Sequence, residues 1–367
     1  MEKAIKKWGI LAVLLLWLGL SVWAVLKPPT DISEAERRKL AQFPALSISS
    51  VLNGSFTGGF ESYATDQFPL REAFRELKSR FHLNILGQLD NNDIYVVSGY
   101  AAKIEYPLNH SSLTHAKERI AYIYSKYLAD SDCKTLLSIV PDKGYYLADT
   151  NGYPALDYDS LVGEIRSAIN FDQYVDIFDA LSEEDYYRSD THWRQEEILP
   201  AADLLCQALD IPRSSEQDYK KVSIDKPFYG VYRGQAALKL EADTIVTLRN
   251  SMLDSCKVFN YETNSYAAIY DETKLNSRDL YDIYLSGATA LLRIENPMQN
   301  NDRELIVFRD SFGSSIIPLL VHGYETVTVV DTRYMSPDIL GQFIEFDDQD
   351  VLFLYSTTVL NNSSALK

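Results

Sequence analysis

The sequence has few of the residues that usually hold metal ions or cross-link small exported domains. Among its 367 residues there are three cysteines and five histidines. Cys133, Cys206 and Cys256 lie far apart and form no CxxC pair, so they match neither a zinc site nor a disulfide framework, although one disulfide could form. No histidine belongs to an HExxH or HxH motif. We therefore predict that the protein has no metal site.

Positive charge is also scarce. The chain has 35 lysines and arginines against 52 aspartates and glutamates, which gives a net charge of −17. A field of this sign repels nucleic acid and anionic lipid headgroups, so neither is an expected partner. Hydrophobic residues make up 46% of the chain, which is normal for a globular protein with a buried core.

One long apolar run stands at the N-terminus. Residues 8–26 are apolar apart from glycine and serine, and about 20 such residues can cross a bilayer as a helix. Three lysines precede the run, at Lys3, Lys6 and Lys7. Because lysines mark the cytoplasmic side of a transmembrane helix, the sequence predicts a cytoplasmic tail over residues 1–7, a single-pass anchor in the lipid bilayer over residues 8–26 and an extracytoplasmic remainder.

A cleaved signal peptide is the alternative for this apolar run. Val22-Trp23-Ala24 is an acceptable cleavage site, but the run is longer than a usual signal core, which favours a retained anchor. Both alternatives export the rest of the chain.

The exported part is predicted to consist of a juxtamembrane stalk over residues 27–59 and a folded domain over residues 60–360. Helices are predicted over 60–86 with an interruption at Phe68-Pro69, over 112–128, 194–209 and 312–322, and strands over 93–97, 135–140, 174–178, 304–308, 326–330 and 351–355. Apolar strands that alternate with helices indicate a mainly parallel sheet covered on both faces. The predicted fold is therefore a three-layer α/β domain, with a strand-rich insertion over about 213–300.

A serine follows one of these strands directly. In Asp310-Ser311-Phe312, the serine stands between an apolar strand and a helix, at the carboxyl end of a strand where open α/β sheets place their ligands. Its N–H, near the positive end of the helix, could stabilise an oxyanion. The alternative is a plain helix cap, since Asp and Ser are favoured in that position.

A second segment, Asp190-Thr191-His192-Trp193, supplies what a serine nucleophile needs. A hydroxyl becomes nucleophilic when a base takes its proton, and histidine is the usual base. A carboxylate commonly fixes the tautomer of the imidazole, and Asp190 is two residues from His192. The alternative is a loop histidine stacked beside Trp193. The two segments together predict Ser311 as nucleophile, His192 as base and Asp190 as the residue that orients it.

These segments resemble those of the DHHW protein family of bacterial exported proteins, and of the SGNH-hydrolase-like domain of the alginate O-acetyltransferase proteins. In both, an Asp-x-His-Trp segment precedes a strand and Asp-Ser-Phe; ordinary SGNH esterases have the serine first. Thr191 is a departure, because the family name refers to two consecutive histidines. The resemblance covers roughly residues 33–358. Further matching segments are Glu36–Pro44, Tyr63–Arg71, Val140–Lys143, Tyr281–Gly287 and Val330–Tyr334.

The resemblance implies an extracytoplasmic O-acetyltransferase that acts on a cell-surface or exported polysaccharide, such as an exopolysaccharide or cell-wall glycan, through an acetyl-serine intermediate. It also implies a multi-pass membrane acyltransferase as the acetyl donor, a place at the bacterial cell membrane and no metal or diffusible cofactor. Two alternatives stay open: a carbohydrate acetylesterase with water as acceptor, and a catalytically inactive glycan-binding or assembly protein.

Other residues near the predicted site allow more than one role. Ser286 and Gly287 could provide a second oxyanion N–H, or form an ordinary turn. Arg333 and Tyr334 follow the end of a strand and could hold a sugar or an acetyl oxygen, or form a structural turn. Lys143 follows another strand and could line the cleft.

Overall fold

The computed structural model describes residues 2–213 and 215–367, with the side chains of residues 2–5 left out. Met1 and the side chain of Lys3, in the predicted cytoplasmic tail, and Ser214, in the predicted insertion, therefore lie outside the described residues. The chain forms two compact units. The first comprises the residues up to Asn92 together with Arg233–Lys239, and the second comprises Asp93–Tyr232 and Leu240–Lys367.

The first unit begins with the apolar helix Glu2–Leu26. Its segment Lys6–Leu26 has a mean hydropathy of 2.4 and none of it is buried, so by length and composition it is able to cross a membrane. A short antiparallel pair, Ile32–Ser33 with Arg38–Lys39, follows. The remaining elements are the α-helices Ile48–Leu52, Ser55–Asp66 and Arg71–Arg80, which the π-helical turn Phe81–Ile85 extends. The predicted helix over 60–86 is thus interrupted at Phe68-Pro69, as expected.

The second unit is built on an eight-stranded sheet, whose strands we number in chain order. They are β1 Lys134–Val140, β2 Gln173–Val175, β3 Lys257–Asn260, β4 Ser265–Ala267, β5 Leu291–Glu295, β6 Glu304–Arg309, β7 Thr326–Val330 and β8 Asp350–Ser356. Their spatial order is β4-β3-β5-β7-β6-β8-β1-β2. The five strands from β7 to β2 are parallel, and β5, β3 and β4 continue the sheet in antiparallel pairing. The prediction of a mainly parallel sheet is confirmed.

Helices cover both faces of the parallel strands because successive apolar side chains point to opposite sides. Leu305 and Val307 of β6 pack in one cluster with the helix Leu199–Ala208. Ile306 and Phe308 pack in another with the helices His110–Ile123 and Tyr158–Arg166. This is the expected three-layer α/β arrangement.

Two predicted helices are shorter than expected. The helix predicted over 194–209 begins at Leu199, because Arg194 still belongs to a hairpin, in which its N–H donates to Asp185 O, and Pro200 suits the first helical turn. The helix predicted over 312–322 is α-helical only over Gly313–Ile316 and continues as two 3₁₀ turns, because Pro318 cannot be accommodated inside an α-helix.

Smaller elements lie outside the main sheet. Hairpin strands Ile94–Val97 and Tyr100–Lys103 pair with each other, as do Lys220–Ser223 and Val246–Arg249; short helices are Gly144–Leu147, Ser251–Ser255 and Thr357–Asn361, and His110–Ile123 continues as the π-helical turn Tyr124–Leu128. The region 213–300 therefore contributes both a separate hairpin and the strands β3 to β5 of the sheet.

The order of the strands marks a position for a site. From β6 the chain passes to β7 on one side, and β8 then pairs with β6 on the other. Such a reversal opens a crevice at the carboxyl ends of the strands, where open α/β sheets bind their ligands. Ser311 follows β6 and stands at this reversal.

Candidate active site

Ser311 is presented on a rigid turn at the end of β6. The carboxylate of the preceding Asp310 accepts the Phe312 N–H at 3.0 Å and the Ser356 N–H, from the end of β8, at 2.7 Å. Asp310 is fully buried, whereas Ser311 is partly exposed. The buried carboxylate of Asp310 thus holds the turn in place, while Ser311 remains partly exposed.

Asp190 and His192 lie in a short hairpin that follows β2. Tyr186 and Trp193 pair across the hairpin, the Tyr187 N–H donates to His192 O at 3.0 Å, and the Tyr186 hydroxyl donates to Pro141 O at the end of β1 at 2.6 Å. The hairpin is therefore attached to the carboxyl ends of the parallel strands, at the same edge of the sheet as Ser311.

The three predicted catalytic side chains form one hydrogen-bonded chain. His192 Nε2 lies 2.8 Å from Ser311 Oγ, and His192 Nδ1 lies 2.6 Å from Asp190 Oδ1. Because a carboxylate only accepts, Nδ1 carries the proton and leaves Nε2 as the acceptor of the serine proton. The geometry is that of a nucleophile, a base and the carboxylate that orients the base.

The carboxylate of Asp190 is held by backbone groups as well as by the imidazole. Oδ1 accepts the N–H of His192 at 3.1 Å, and Oδ2 accepts the N–H of Val231 at 2.9 Å. Gly230, just before Val231, has no room for a side chain, since an added Cβ would lie 2.3 Å from the backbone of Ser189 and Asp190. A glycine in this position lets the two segments approach closely enough for the Val231 bond.

Aromatic rings fix the imidazole of His192. Tyr281 stacks on it with a centroid distance of 3.9 Å and an angle of 9° between the planes, and Phe312 packs at 5.1 Å. The Tyr281 hydroxyl bonds Ser315 Oγ at 2.8 Å. Burial raises the pKa of Tyr281, so its hydroxyl stays protonated. The imidazole therefore has little freedom to rotate away from Ser311.

Trp193 connects the hairpin to the turn that carries the serine. Its indole N–H donates to Ser315 Oγ at 2.8 Å and to Phe312 O at 3.2 Å, and the side chain is fully buried. Since His192 and Trp193 are adjacent, these bonds set the position of the imidazole relative to Ser311.

A buried lysine lies under the hairpin. Lys143 is 2% exposed, its Nζ donates to Tyr187 O at 2.8 Å, and it lies over the ring of Tyr232. Burial lowers the pKa of Lys143 to about 7, against the opposing influence of nearby carboxylates that include Asp190. The hydrogen bond from Lys143 to Tyr187 O therefore holds the hairpin from the protein interior.

Ser286 and Gly287 lie in a tight turn near the end of β6. Leu285, Ser286 and Gly287 all have positive φ angles. The Gly287 N–H donates to Tyr284 O at 3.0 Å, and the Ser286 hydroxyl donates to Asp271 at 2.7 Å. Gly287 would have to release Tyr284 before its N–H could bind an oxyanion, and the assignment of this pair as oxyanion donors stays a prediction.

A charged cluster lies beside this turn. Arg309 is fully buried, donates to Gly287 O at 3.1 Å and lies 3.7 Å from Asp331. Arg333 binds both oxygens of Asp331, at 2.9 and 2.7 Å. Burial acts against the charge of Arg333, but the bonds to Asp331 outweigh it and raise its pKa. Tyr334 is half exposed. The roles of Arg333 and Tyr334 in substrate binding stay predictions.

Two contacts of the site have no signal in the sequence. The Val231 N–H is a backbone group without a motif, and Tyr281, although it lies in the segment Tyr281–Gly287 that resembles the family, has no predicted role. Among residues 2–213 and 215–367, no group of three or more His, Cys, Asp or Glu side chains is arranged to hold a metal ion.

Comparisons with known proteins agree with the resemblance. The profile of the DHHW protein family matches residues 173–330, a segment that includes Asp190, His192 and Ser311. This confirms the resemblance to DHHW proteins over that segment. No curated protein sequence matches the chain significantly.

Solved structures show the same fold. A DHHW family protein from Eubacterium siraeum aligns with a TM-score of 0.57 and 22% identity, over 74% of this chain and 92% of that one. Bacillus cereus PatB1 aligns with a TM-score of 0.60 and 15% identity, over 73% of this chain and 95% of that one, in a structure that carries a sulfonyl adduct. A second PatB1 structure aligns with a TM-score of 0.58 and 14% identity, over 73% and 96%.

We expect Trp193→Phe to destabilise the protein. The ring is replaced, but Phe312 O and Ser315 Oγ lose their buried donor, which costs about 1–3 kcal/mol. Thermal unfolding followed by circular dichroism measures the change. Trp23→Phe, which alters an exposed indole of the N-terminal helix, is the matched control. Equal unfolding temperatures for the two variants would contradict the role given to Trp193.

We expect Lys143→Met to change how stability depends on pH. Lys143 has a pKa of about 7 in the folded chain and a normal, higher pKa when unfolded, so the unfolded chain binds more protons between these values. The stability of the wild type relative to the variant should therefore rise with pH from about 7 to 10, by at most about 1.4 kcal/mol per pH unit. Urea unfolding at several pH values measures it, and the exposed Lys220 gives the control Lys220→Met. Parallel curves for wild type and Lys143→Met would refute the expectation.

Proposed function

We propose that this chain, whose residues 173–330 match the DHHW proteins, is an extracytoplasmic O-acetyltransferase that modifies a cell-surface or exported polysaccharide. The observation that carries the proposal is the hydrogen-bonded chain from Ser311 Oγ through His192 to Asp190. A serine that is bonded to a neutral imidazole, itself oriented by a buried carboxylate, is prepared for acyl transfer.

The first half of the reaction acylates the serine. Ser311 Oγ attacks the carbonyl carbon of an acetyl donor while His192 Nε2 takes the hydroxyl proton. The tetrahedral intermediate then collapses: the bond to the leaving group breaks, and His192 returns the proton to it. Acetyl-Ser311 and a neutral imidazole remain. Asp190 stabilises the positive charge on the imidazole while it exists.

The second half reverses the roles. A sugar hydroxyl gives its proton to His192 Nε2 as its oxygen bonds the acetyl carbonyl carbon. The intermediate then collapses: the bond between that carbon and Ser311 Oγ breaks, and His192 returns the proton to Oγ. The product is an O-acetylated sugar. The resting state of the site is restored without any net change in charge.

The developing oxyanion needs donors close to Ser311. In the proposal the Ser311 N–H supplies one, because it follows the end of β6 and precedes the helical turn Gly313–Ile316. A second would come from the turn at Ser286 and Gly287, after it releases Tyr284. Arg333 and Tyr334 would contact the sugar.

Three further considerations support separate parts of the proposal: the class of enzyme, the serine nucleophile and the extracytoplasmic position. The segments that resemble alginate O-acetyltransferase proteins include the residues of the site. The PatB1 structure of the same fold carries a sulfonyl adduct, and sulfonyl reagents modify activated hydroxyl nucleophiles. The N-terminal apolar helix would place the second unit outside the cytoplasm, with a multi-pass membrane acyltransferase as the proposed source of acetyl groups.

Hydrolysis is the second candidate reaction. Ser311 is partly exposed, so water has access to an acetyl-serine at this position. The acceptor separates the two reactions: transfer yields acetylated glycan, whereas an esterase yields acetate at the same rate with or without glycan.

We expect Ser311→Ala to abolish acetylation of the protein by a small acetyl ester. The variant lacks the attacking oxygen, so acetyl release should fall by about three orders of magnitude or more. Mass spectrometry of the quenched reaction locates the acetyl group, and added glycans test its transfer. Ser314→Ala, three residues further along, is the control. An acetyl group elsewhere with undiminished turnover in Ser311→Ala would rule out Ser311 as the nucleophile.

We expect Asp190→Asn to preserve the fold but slow the reaction. The amide can present a donor to Nδ1 and favour the wrong tautomer of His192, a change that costs about 10⁴ in kcat in serine proteases. The rate of acetyl release from the ester gives the measurement, and circular dichroism reports the fold. Asp225→Asn removes an exposed carboxylate and should leave the rate unchanged. A rate for Asp190→Asn within a few-fold of wild type would argue against the assigned role.

A further inference from the structure

The first unit presents an apolar stripe to solvent. Phe74, Leu77, Phe81 and Ile85, on the helix Arg71–Arg80 and its π-helical extension, are between 44% and 71% exposed. Their spacing of three and four residues places them on one side of the helix. A helix in a globular protein normally turns such a stripe toward a core, so this one indicates a partner.

An apolar groove adjoins the stripe. It has a volume of about 800 Å³ and lies between the helices Ser55–Asp66 and Arg71–Arg80. Phe60, Phe68 and Phe74 line it. Ile48 and Leu52, on the preceding short helix, are each 82% exposed as well. The apolar surface therefore extends over several elements of the unit.

The opposite side of the same helix is polar, and its glutamates are paired with arginines. Glu72 and Glu76 have half-exposed side chains. Because successive helical residues are about 100° apart, Glu76 points away from Phe74 and Phe81. The helix is thus amphipathic in the way that interfacial helices are, with a polar side directed to water.

The bend just before this amphipathic helix is bonded to the segment that follows the N-terminal helix. Gln67, which is buried, accepts the Thr30 N–H at 2.8 Å and donates to Thr30 O at 2.8 Å. Thr30 is four residues beyond Leu26, the last residue of the apolar helix. Four residues span at most about 14 Å, so Thr30 is held within that distance of the point where the chain would leave the bilayer, and the Gln67 amide lies 2.8 Å from Thr30.

A second set of bonds reinforces this tie. Arg38 binds both oxygens of Asp66, at 2.8 and 2.7 Å, and the Ala41 N–H donates to Asp66 at 2.8 Å. Arg71 binds Glu36 at 2.6 Å. The segment after the apolar helix is therefore bonded to both ends of the bend between the two helices. These bonds hold the apolar surface near the point where the chain would leave the bilayer.

We propose that the surface formed by Phe60, Phe74, Leu77, Phe81 and Ile85 lies in the outer headgroup–acyl boundary of the bilayer that the N-terminal helix crosses. An interfacial helix buries its apolar side about 5–10 Å into that boundary, a depth that the short tie to Leu26 allows. Arg80, 59% exposed, pairs with Glu76 at 3.9 Å, and its long side chain could exchange that contact for a lipid phosphate. This membrane contact requires that the N-terminal helix crosses the bilayer, but it does not depend on the chemistry proposed for Ser311.

The test measures contact with lipid in the full-length protein. Single cysteines replace Leu77, Phe81 or, as the control on the polar side, Glu76, in a Cys133→Ser background, since Cys206 and Cys256 are buried. Each carries a small fluorophore, and each variant is placed in phosphatidylcholine nanodiscs with or without bromine on the acyl chains. Quenching should be roughly threefold greater at 77 and 81 than at 76, because the apolar side lies among the acyl chains.

Equal quenching at the three positions overturns the proposal. So does low quenching at 77 together with disulfide cross-linking of two copies through Leu77→Cys, since that result makes the surface a contact between copies of the chain. Low quenching without cross-linking, in a protein whose circular dichroism is unchanged, overturns it in favour of a different protein partner.

A substitution that removes the bonds between Gln67 and Thr30 gives a second, independent test. Gln67→Ala removes both bonds to Thr30, so the difference in quenching between positions 81 and 76 should shrink in nanodiscs. Gln88→Ala, in the chain segment after the π-helical turn, leaves the tie intact and is the control. An undiminished difference in Gln67→Ala would mean that the tie does not place this surface. The acetyl-ester reaction of these variants shows separately whether the proposed chemistry is affected.

Discussion

The candidate site depends on the hydrogen bonds between the Trp193 indole and the turn after β6. Ser311 and His192 are 119 residues apart in sequence, and a shift of an ångström would break the 2.8 Å contact between them. Trp193 adjoins His192 and binds Phe312 O, next to Ser311, and Ser315 Oγ, four residues beyond Ser311. The same buried residue therefore fixes His192 and Ser311 relative to each other, while neither of its bonds involves the imidazole or the serine hydroxyl.

The buried charged side chains around this contact have hydrogen-bond or ion-pair partners. Asp190 accepts from the imidazole and from two backbone N–H groups, and Asp310 accepts from two backbone N–H groups. Buried Arg309 faces Asp331, and buried Lys143 donates to Tyr187 O. Because a buried charge without a partner is costly, this arrangement keeps the hairpin and the turn in one geometry. It gives the site a preformed shape before any substrate binds.

The sequence predicted the elements that follow from local patterns. The strands β1, β6, β7 and β8 could be predicted because strands buried on both faces are continuous apolar runs. The interruption at Phe68-Pro69 could be predicted because proline breaks a helix. Helix lengths were harder: Pro318 and the hairpin bond of Arg194 shortened two of them. The Val231 N–H and the stacking of Tyr281 depend on folding that brings distant segments together, so no local pattern could predict them.

The remaining chemical question is how an acetyl-serine would avoid water. In the proposed mechanism His192 and Asp190 activate Ser311, and activation alone would serve hydrolysis and transfer equally. Transfer requires that the acceptor occupy the space next to the acyl group and displace water from it. Tyr334, half exposed beside Arg333, offers a ring face and a hydroxyl of the kind that packs against sugars. The selectivity for an acceptor would then lie at the end of β7, separate from the residues that make the serine reactive.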